Sequence, residues 1–172
     1  MINADTKVCC LIGDPVEHSL SPLVHNRGYE VLGLNFVYIA FRIKNVKLAI
    51  DAIRGLGIRG ASVTIPHKVS TMKYVDKIDD TAREIGAINT IVNNGGVLSG
   101  FNTDYEAALK TMKEKTTIKG KKAVLLGGGG VGLAIAAGLK RNGADLIIID
   151  KIKERAEELA RLVGAEGFGG LE

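Results

Sequence analysis

The sequence has no tryptophan, 3 prolines in 172 residues, 2 cysteines and only 5% aromatic residues. So few aromatic rings leave little of the stacking platform on which single-strand nucleic-acid binders rely. Basic residues are interleaved with acidic ones, as in Lys151 to Arg161, so the net charge of +4 forms no basic stripe. Nucleic acid is not expected as a partner; a small anionic ligand suits the modest positive charge better. No apolar run reaches the roughly 18 residues that a membrane span needs, so no membrane partner is expected. Met1-Ile2-Asn3-Ala4-Asp5 lacks the basic patch and following apolar stretch of a secretory signal. Cys9 and Cys10 are adjacent in an apolar run, where a strand would send their side chains to opposite faces. Neither a disulfide nor a metal site is therefore expected, and a reducing cytoplasm is the expected setting.

What the sequence does contain is an ordinary globular balance, 46% apolar and 24% charged, with 22 glycines placed as punctuation. Strand-length apolar runs alternate with stretches of helical period. Val8 to Ile12 predicts a strand that stops at Gly13-Asp14-Pro15. Ser21-Pro22 predicts a helix start, Ser as cap and Pro at the first helical position. Phe36 to Phe41 predicts a strand, and Asn45 caps a helix whose apolar face is read as Leu48, Ala49, Ile53 and Leu56. Ala61 to Ile65 predicts a buried strand, with Pro66 opening a further helix. Asp79-Asp80 starts a short helix, and the strands Asn89–Val92 and Val97–Phe101 flank an Asn93-Asn94-Gly95-Gly96 turn, a hairpin signal. Thr103 is read as the cap of a helix running from Asp104 to Lys115. The alternation predicts an α/β fold: a mixed, mostly parallel N-terminal domain over residues 1–104, then a second α/β unit over 105–172.

The second unit carries the most specific pattern. Gly127, Gly129 and Gly132 fit G-x-G-x-x-G within the run Gly127-Gly128-Gly129-Gly130-Val131-Gly132, between a strand and a helix. The first glycine permits a tight turn, the second a close approach of pyrophosphate, and the third close helix–strand packing. Asp150 closes the next strand, 18 residues past Gly132, where an acid would hold the ribose hydroxyls. The unit therefore reads as the first half of a Rossmann-type dinucleotide-binding domain. Asp150 favours NAD, whereas Lys151 directly after it keeps NADP open. The full sheet needs a second half, so a C-terminally truncated chain is expected.

Four polar segments remain. The hydroxyls of Ser19 and Ser21, just before a helix, suit a carboxylate; plain capping is the alternative. Lys68, in Thr64-Ile65-Pro66-His67-Lys68, is placed on a first helical turn, where the dipole lowers basicity and suits proton transfer. A solvated surface lysine is the competing reading. Asn89 and Asp104 sit in the segments before and after the hairpin, and Asp104 also fits as a first-turn acid stabilised by the dipole.

Ser19-Leu20-Ser21-Pro22, Val63 to Lys68, Gly86-Ala87-Ile88-Asn89-Thr90 and Gly100-Phe101-Asn102-Thr103-Asp104 are together similar, in order and spacing, to the motifs of the shikimate dehydrogenase family. The glycine run lies where that family keeps its cofactor loop. The resemblance implies reversible NAD(P)H-dependent reduction of 3-dehydroshikimate to shikimate, in aromatic amino-acid biosynthesis. It implies that Ser19 and Ser21 hold the substrate carboxylate, that Thr64, Asn89 and Asp104 hold ring hydroxyls, and that Lys68 and Asp104 form the catalytic pair. Ser62 stands where the family usually has Asn, and Asp150-Lys151-Ile152 replaces the common Asn-Arg-Thr. The missing remainder of the nucleotide domain implies that the 172 residues bind cofactor poorly and turn over little or not at all. A quinate-active relative using NAD and a non-catalytic ligand-binding relative share the same motifs; intact Lys68 and Asp104 speak against the second.

Overall fold

A computed structural model describes residues 2–169, which divide into two compact units on either side of the Phe101–Asn102 bond. In the first unit, β1 (Lys7–Gly13), α1 (Ser21–Val31), β2 (Phe36–Arg42), α2 (Val46–Gly55) and β3 (Gly60–Val63) follow in order. Then come a 3₁₀ turn (Ser70–Lys73), β4 (Lys77–Ile78), α3 (Asp80–Ile85), β5 (Thr90–Asn94) and β6 (Val97–Phe101). The six strands form one sheet in the order β2-β1-β3-β5-β6-β4. β1 is parallel to β2 and β3, β5 is antiparallel to β3 and β6, and β4 is parallel to β6.

Alternation along the strands builds two apolar layers. Cys10, Ile12, Ala61, Val63, Ile91 and Leu98 face Ile50 and Ile53 of α2 in the larger core. Each isoleucine so buried stabilises the fold by about 1.5–3 kcal/mol. Leu11, Tyr38 and Val16 pack on the other face with Cys9 and Tyr29. The adjacent cysteines thus separate onto opposite faces as free thiols, and burial pushes Cys10 up to about 12. The apolar face of α2 differs from the one predicted: Leu48 and Leu56 are 64% and 77% exposed. Ala49 and Ile53 face the core as predicted, joined by Val46 and Ile50 in place of the two leucines, the i, i+3, i+4, i+7 stripe of a single face. Asn45 caps this helix as predicted, accepting the Leu48 N–H at 3.1 Å.

The helix expected from Pro66 does not form. Residues after β3 make a turn in which His67 N–H donates to the Thr64 carbonyl at 3.0 Å. The Lys68 carbonyl then takes the Ile88 N–H at 2.9 Å, so it is engaged across the fold rather than along a helix. Helical turns begin only at Ser70, as 3₁₀.

The second unit comprises α4 (Thr103–Lys115), β7 (Lys122–Leu126), α5 (Gly130–Arg141), β8 (Asp145–Asp150), α6 (Lys153–Val163) and β9 (Glu166–Gly169). Its three strands are all parallel, in the order β7-β8-β9, the strand order of one mononucleotide half. Leu109 of α4, Ala136 and Leu139 of α5, Leu146 and Ile148 of β8, and Leu159 of α6 form its core. The cap of α4 is Asn102 rather than Thr103: its Oδ1 accepts the Asp104 and Tyr105 N–H groups at 3.1 and 3.4 Å. Among the described residues no helix is long and apolar enough to cross a membrane.

Buried Asn93 fastens the β5–β6 hairpin. Its Nδ2 donates to the carbonyls of Ile53 and Ile58 at 3.1 and 3.0 Å, and its Oδ1 accepts the Gly96 N–H at 2.8 Å. Asn93→Ala leaves those groups without this partner and is expected to cost about 2–3 kcal/mol. Amide exchange in β5 and β6 reads the loss; unchanged protection there contradicts it.

Candidate functional site

In the first unit the strand order reverses at β1, which has β2 on one side and β3 on the other. Open α/β sheets bind ligands beyond the carboxyl ends of strands at such a switch point. The chain lines that edge with polar residues. Ser19 and Ser21 follow β1, Thr64 follows β3, and Asn89 immediately precedes antiparallel β5, which places it at the same edge.

Backbone bonds lace these segments together. Thr64 N–H donates to the Ile12 carbonyl at 2.9 Å, Val63 N–H to Asn89 at 2.7 Å, and Asp14 N–H to Ile65 at 3.0 Å. A Cβ on Gly13 would overlap the Thr64 side chain, so the ends of β1 and β3 approach closely here. Lys68 is tied by its carbonyl to Ile88, the neighbour of Asn89. The dipole argument for Lys68 lapses with the missing helix, while its place beside the edge stands.

The two serines are in direct contact. Ser19 Oγ donates to Ser21 Oγ at 3.0 Å and accepts the Ser21 N–H at 3.2 Å. Ser21 therefore does not cap α1; the capping position is Leu20, which has no side-chain bond to the helix, and Pro22 lies in the first turn as expected. Arg42 steadies the approach to the serines, with Nε 2.6 Å from Asp14 and Nη1 3.2 Å from Glu17. Ser62 lies on β3, lining an apolar-walled cleft of about 310 Å³ with Cys9, His25, Tyr38 and Thr90. Thr90 Oγ1 donates to Asn89 Oδ1 at 2.9 Å, orienting that carboxamide.

Two positioning residues are absent from the sequence-level reading. Asn26 exchanges bonds with the Tyr38 backbone, Nδ2 to O and N to Oδ1, both at 2.8 Å, which docks α1 along the edge strand β2. His67 is buried, its Nε2 2.9 Å from the Ile43 carbonyl, so it pins the turn before Lys68 to the end of β2. Asn26 follows the serine motif by one helical turn; a polar residue on the sheet-facing side of a helix is the signal that marks it.

In the second unit, Asp104 occupies the first turn of α4. The glycine run joins β7 to α5. Gly127 turns the chain at φ +102°, a conformation L side chains rarely adopt, and its N–H bonds the Ile149 carbonyl at 2.7 Å. A Cβ on Gly132 would collide with the Gly127 carbonyl, so helix and turn meet at backbone contact, while Gly129 has open space beside it. Gly130 and Val131 open α5, whose first-turn N–H groups have no carbonyl within their own helix. These features fit a dinucleotide pyrophosphate. Asp150 is buried at the end of β8, its Oδ2 accepting the Gly128 N–H at 2.6 Å and its Oδ1 the Ile152 N–H at 2.8 Å. Those two donors hold its carboxyl below the ordinary value. Lys151, next in sequence, is exposed. No cluster of metal-ligating side chains occurs among the described residues.

Fold and site define a two-unit α/β protein in which a mixed substrate-type sheet precedes a Rossmann-like unit. Residues 11–91 match the shikimate dehydrogenase substrate binding domain. The chain is 43% identical to the shikimate dehydrogenase (NADP(+)) of Caldanaerobacter subterraneus subsp. tengcongensis, over 96% of this chain and 60% of that protein. It superposes on the crystal structure of shikimate dehydrogenase from Aquifex aeolicus with a TM-score of 0.91 and 38% identity, covering 96% of this chain and 64% of that one. The shikimate 5-dehydrogenase of Thermus thermophilus, solved with NADP(H) and shikimate, matches with a TM-score of 0.85 and 32% identity, over 94% of this chain and 62% of that one. The chain is similar to shikimate dehydrogenases along nearly its whole length, and it spans about three fifths of the length of the curated relatives it matches.

The contact between Gly132 and Gly127 makes a stability prediction. Gly132→Ala forces α5 away from the turn and is expected to destabilise the second unit by about 1–3 kcal/mol. Faster amide exchange in β7 and α5, with the first unit unaffected, checks it; unchanged exchange refutes the tight packing.

Proposed function

We propose that the protein is a shikimate dehydrogenase, acting in the reversible NADP-dependent reduction of 3-dehydroshikimate to shikimate in aromatic amino-acid biosynthesis. The observation that carries this reading is the gathering of Ser19, Ser21, Thr64 and Asn89 at one sheet edge, with Lys68 on the adjoining turn. The paired serine hydroxyls would donate to the substrate carboxylate. Thr64 and Asn89 would hold ring hydroxyls, with Ser62 the residue just below Thr64 on β3. Lys68 would give a proton to the C3 oxygen during reduction and take it back during oxidation. By the family resemblance, Asp104 would orient that hydroxyl. A nicotinamide dinucleotide, when bound, supplies or accepts the hydride at C3. The backbone of Gly127 to Gly132 would hold its pyrophosphate.

NADP is the proposed cofactor. The curated relatives are named for NADP(+), and exposed Lys151 offers a cation to a 2′-phosphate. A cytoplasmic setting fits the free thiols of Cys9 and Cys10.

Two measurements test the proposal. Calorimetric titration with shikimate should show binding that the double variant Ser19→Ala, Ser21→Ala weakens at least about tenfold. Lys68→Ala should leave that binding within about threefold while cutting shikimate-dependent NADP reduction by about 10²–10⁴-fold. Turnover preserved in the Lys68 variant removes Lys68 from proton transfer. Faster reduction of NAD with quinate than of NADP with shikimate contradicts the assignment.

A further inference from the structure

The carboxylate that closes β8 sits where an acidic residue commonly accepts the adenosine ribose hydroxyls and repels a 2′-phosphate. Its geometry here is different. Asp150 is 8% exposed, and each oxygen already accepts a backbone N–H, Gly128 at 2.6 Å and Ile152 at 2.8 Å. The bond to Gly128 is short, as hydrogen bonds to an ionised carboxylate are relative to neutral ones. The glycine loop also packs onto this carboxylate, since a Cβ on Gly128 would lie 3.4 Å from Oδ2 and 3.3 Å from the Arg155 carbonyl. One side chain thereby joins the end of β8, the segment entering α6 and the turn between β7 and α5.

We propose that Asp150 is a positioning residue, holding the glycine loop in its pyrophosphate-receiving shape, and that it contributes no discrimination between NADP and NAD. The proposal rests on the dinucleotide-binding reading above. A ribose acceptor must present its oxygens to the ligand, whereas here Oδ2 takes the loop's Gly128 N–H and Oδ1 takes the Ile152 N–H just after β8. The two roles respond oppositely to loss of charge. A ribose acceptor that becomes neutral stops repelling a 2′-phosphate, so the preference moves toward NADP. A loop anchor that is lost loosens the cradle for the pyrophosphate, which the two cofactors share, so both weaken together. Asparagine at this position retains one acceptor oxygen but turns an amide donor toward the second N–H, so it removes about half of the anchor.

The experiment measures dissociation constants for NADP and NAD by calorimetry, together with hydrogen exchange at the Gly128 amide, in the unsubstituted protein, Asp150→Asn and Asp150→Ala. Affinity for both cofactors is expected to fall by a common factor of about 5–10, more in the alanine variant, with the NADP-to-NAD ratio held within about twofold. Gly128 exchange in the cofactor-free protein should accelerate at least about tenfold in Asp150→Ala. A shift of the ratio toward NADP by about tenfold or more overturns the proposal, as does unchanged Gly128 exchange. If the unsubstituted protein binds neither cofactor, the dinucleotide reading itself fails and the proposal falls with it; a shifted ratio removes the proposal alone.

Discussion

β3 ends between two different neighbours: Thr64 N–H reaches the Ile12 carbonyl of parallel β1, and Val63 N–H reaches the Asn89 carbonyl just ahead of antiparallel β5. These two backbone bonds set where everything polar in the first unit falls. Parallel β1 and β3 deliver their following loops to one edge, and an antiparallel strand delivers its preceding segment to that same edge. Segments some twenty to seventy residues apart in sequence therefore converge without any side chain having to reach far. Had β5 run parallel, Asn89 would lie at the opposite end of the sheet. The hydroxyls, the carboxamide and the turn bearing Lys68 are brought together by sheet topology, and side chains such as Asn26 and His67 then fix the loops in place.

The second unit reaches its function-bearing shape by backbone contact. The turn after β7 is left-handed at Gly127, α5 approaches it so closely that Gly132 has no room for a Cβ, and the Asp150 carboxylate ties the loop to β8. N–H groups and a helix terminus make a surface of the kind that suits an anion. It gains rigidity from one buried negative charge, which is satisfied locally by two backbone donors. Lys151, the residue after this carboxylate, is exposed.

Much of this was legible before the structure. Alternating apolar runs and glycine or asparagine boundaries located the elements of both units, including the two faces taken by Cys9 and Cys10. What escaped has physical causes. Leu48 and Leu56 looked like core by residue type, yet helical spacing selects Val46, Ala49, Ile50 and Ile53. Pro66 carries the same local signature at a helix start as in a turn, and the turn bond from His67 to Thr64 with the long-range bond from Ile88 to the Lys68 carbonyl distinguishes them. Asn102 outcompeted Thr103 as a cap because a carboxamide oxygen one position earlier reaches two N–H groups. β4 has only two residues, and β9, Glu166-Gly167-Phe168-Gly169, lacks the apolar run that marks the equally short β3. The site segments were visible as motifs, but the bond network that commits Asp150 to the glycine loop was not, since no sequence rule says which way a carboxylate turns.

The central claim is that the edge where β1, β3 and β5 meet is a site for a carboxylated, hydroxylated ring. Its most direct test is a shikimate titration of the isotopically labelled protein followed by amide chemical shifts. Saturable shifts at Ser19, Ser21, Thr64 and Asn89, with the far hairpin Asn93 to Gly96 unmoved, are the predicted result. Shifts confined to other surfaces, or none at saturating shikimate, would contradict the account.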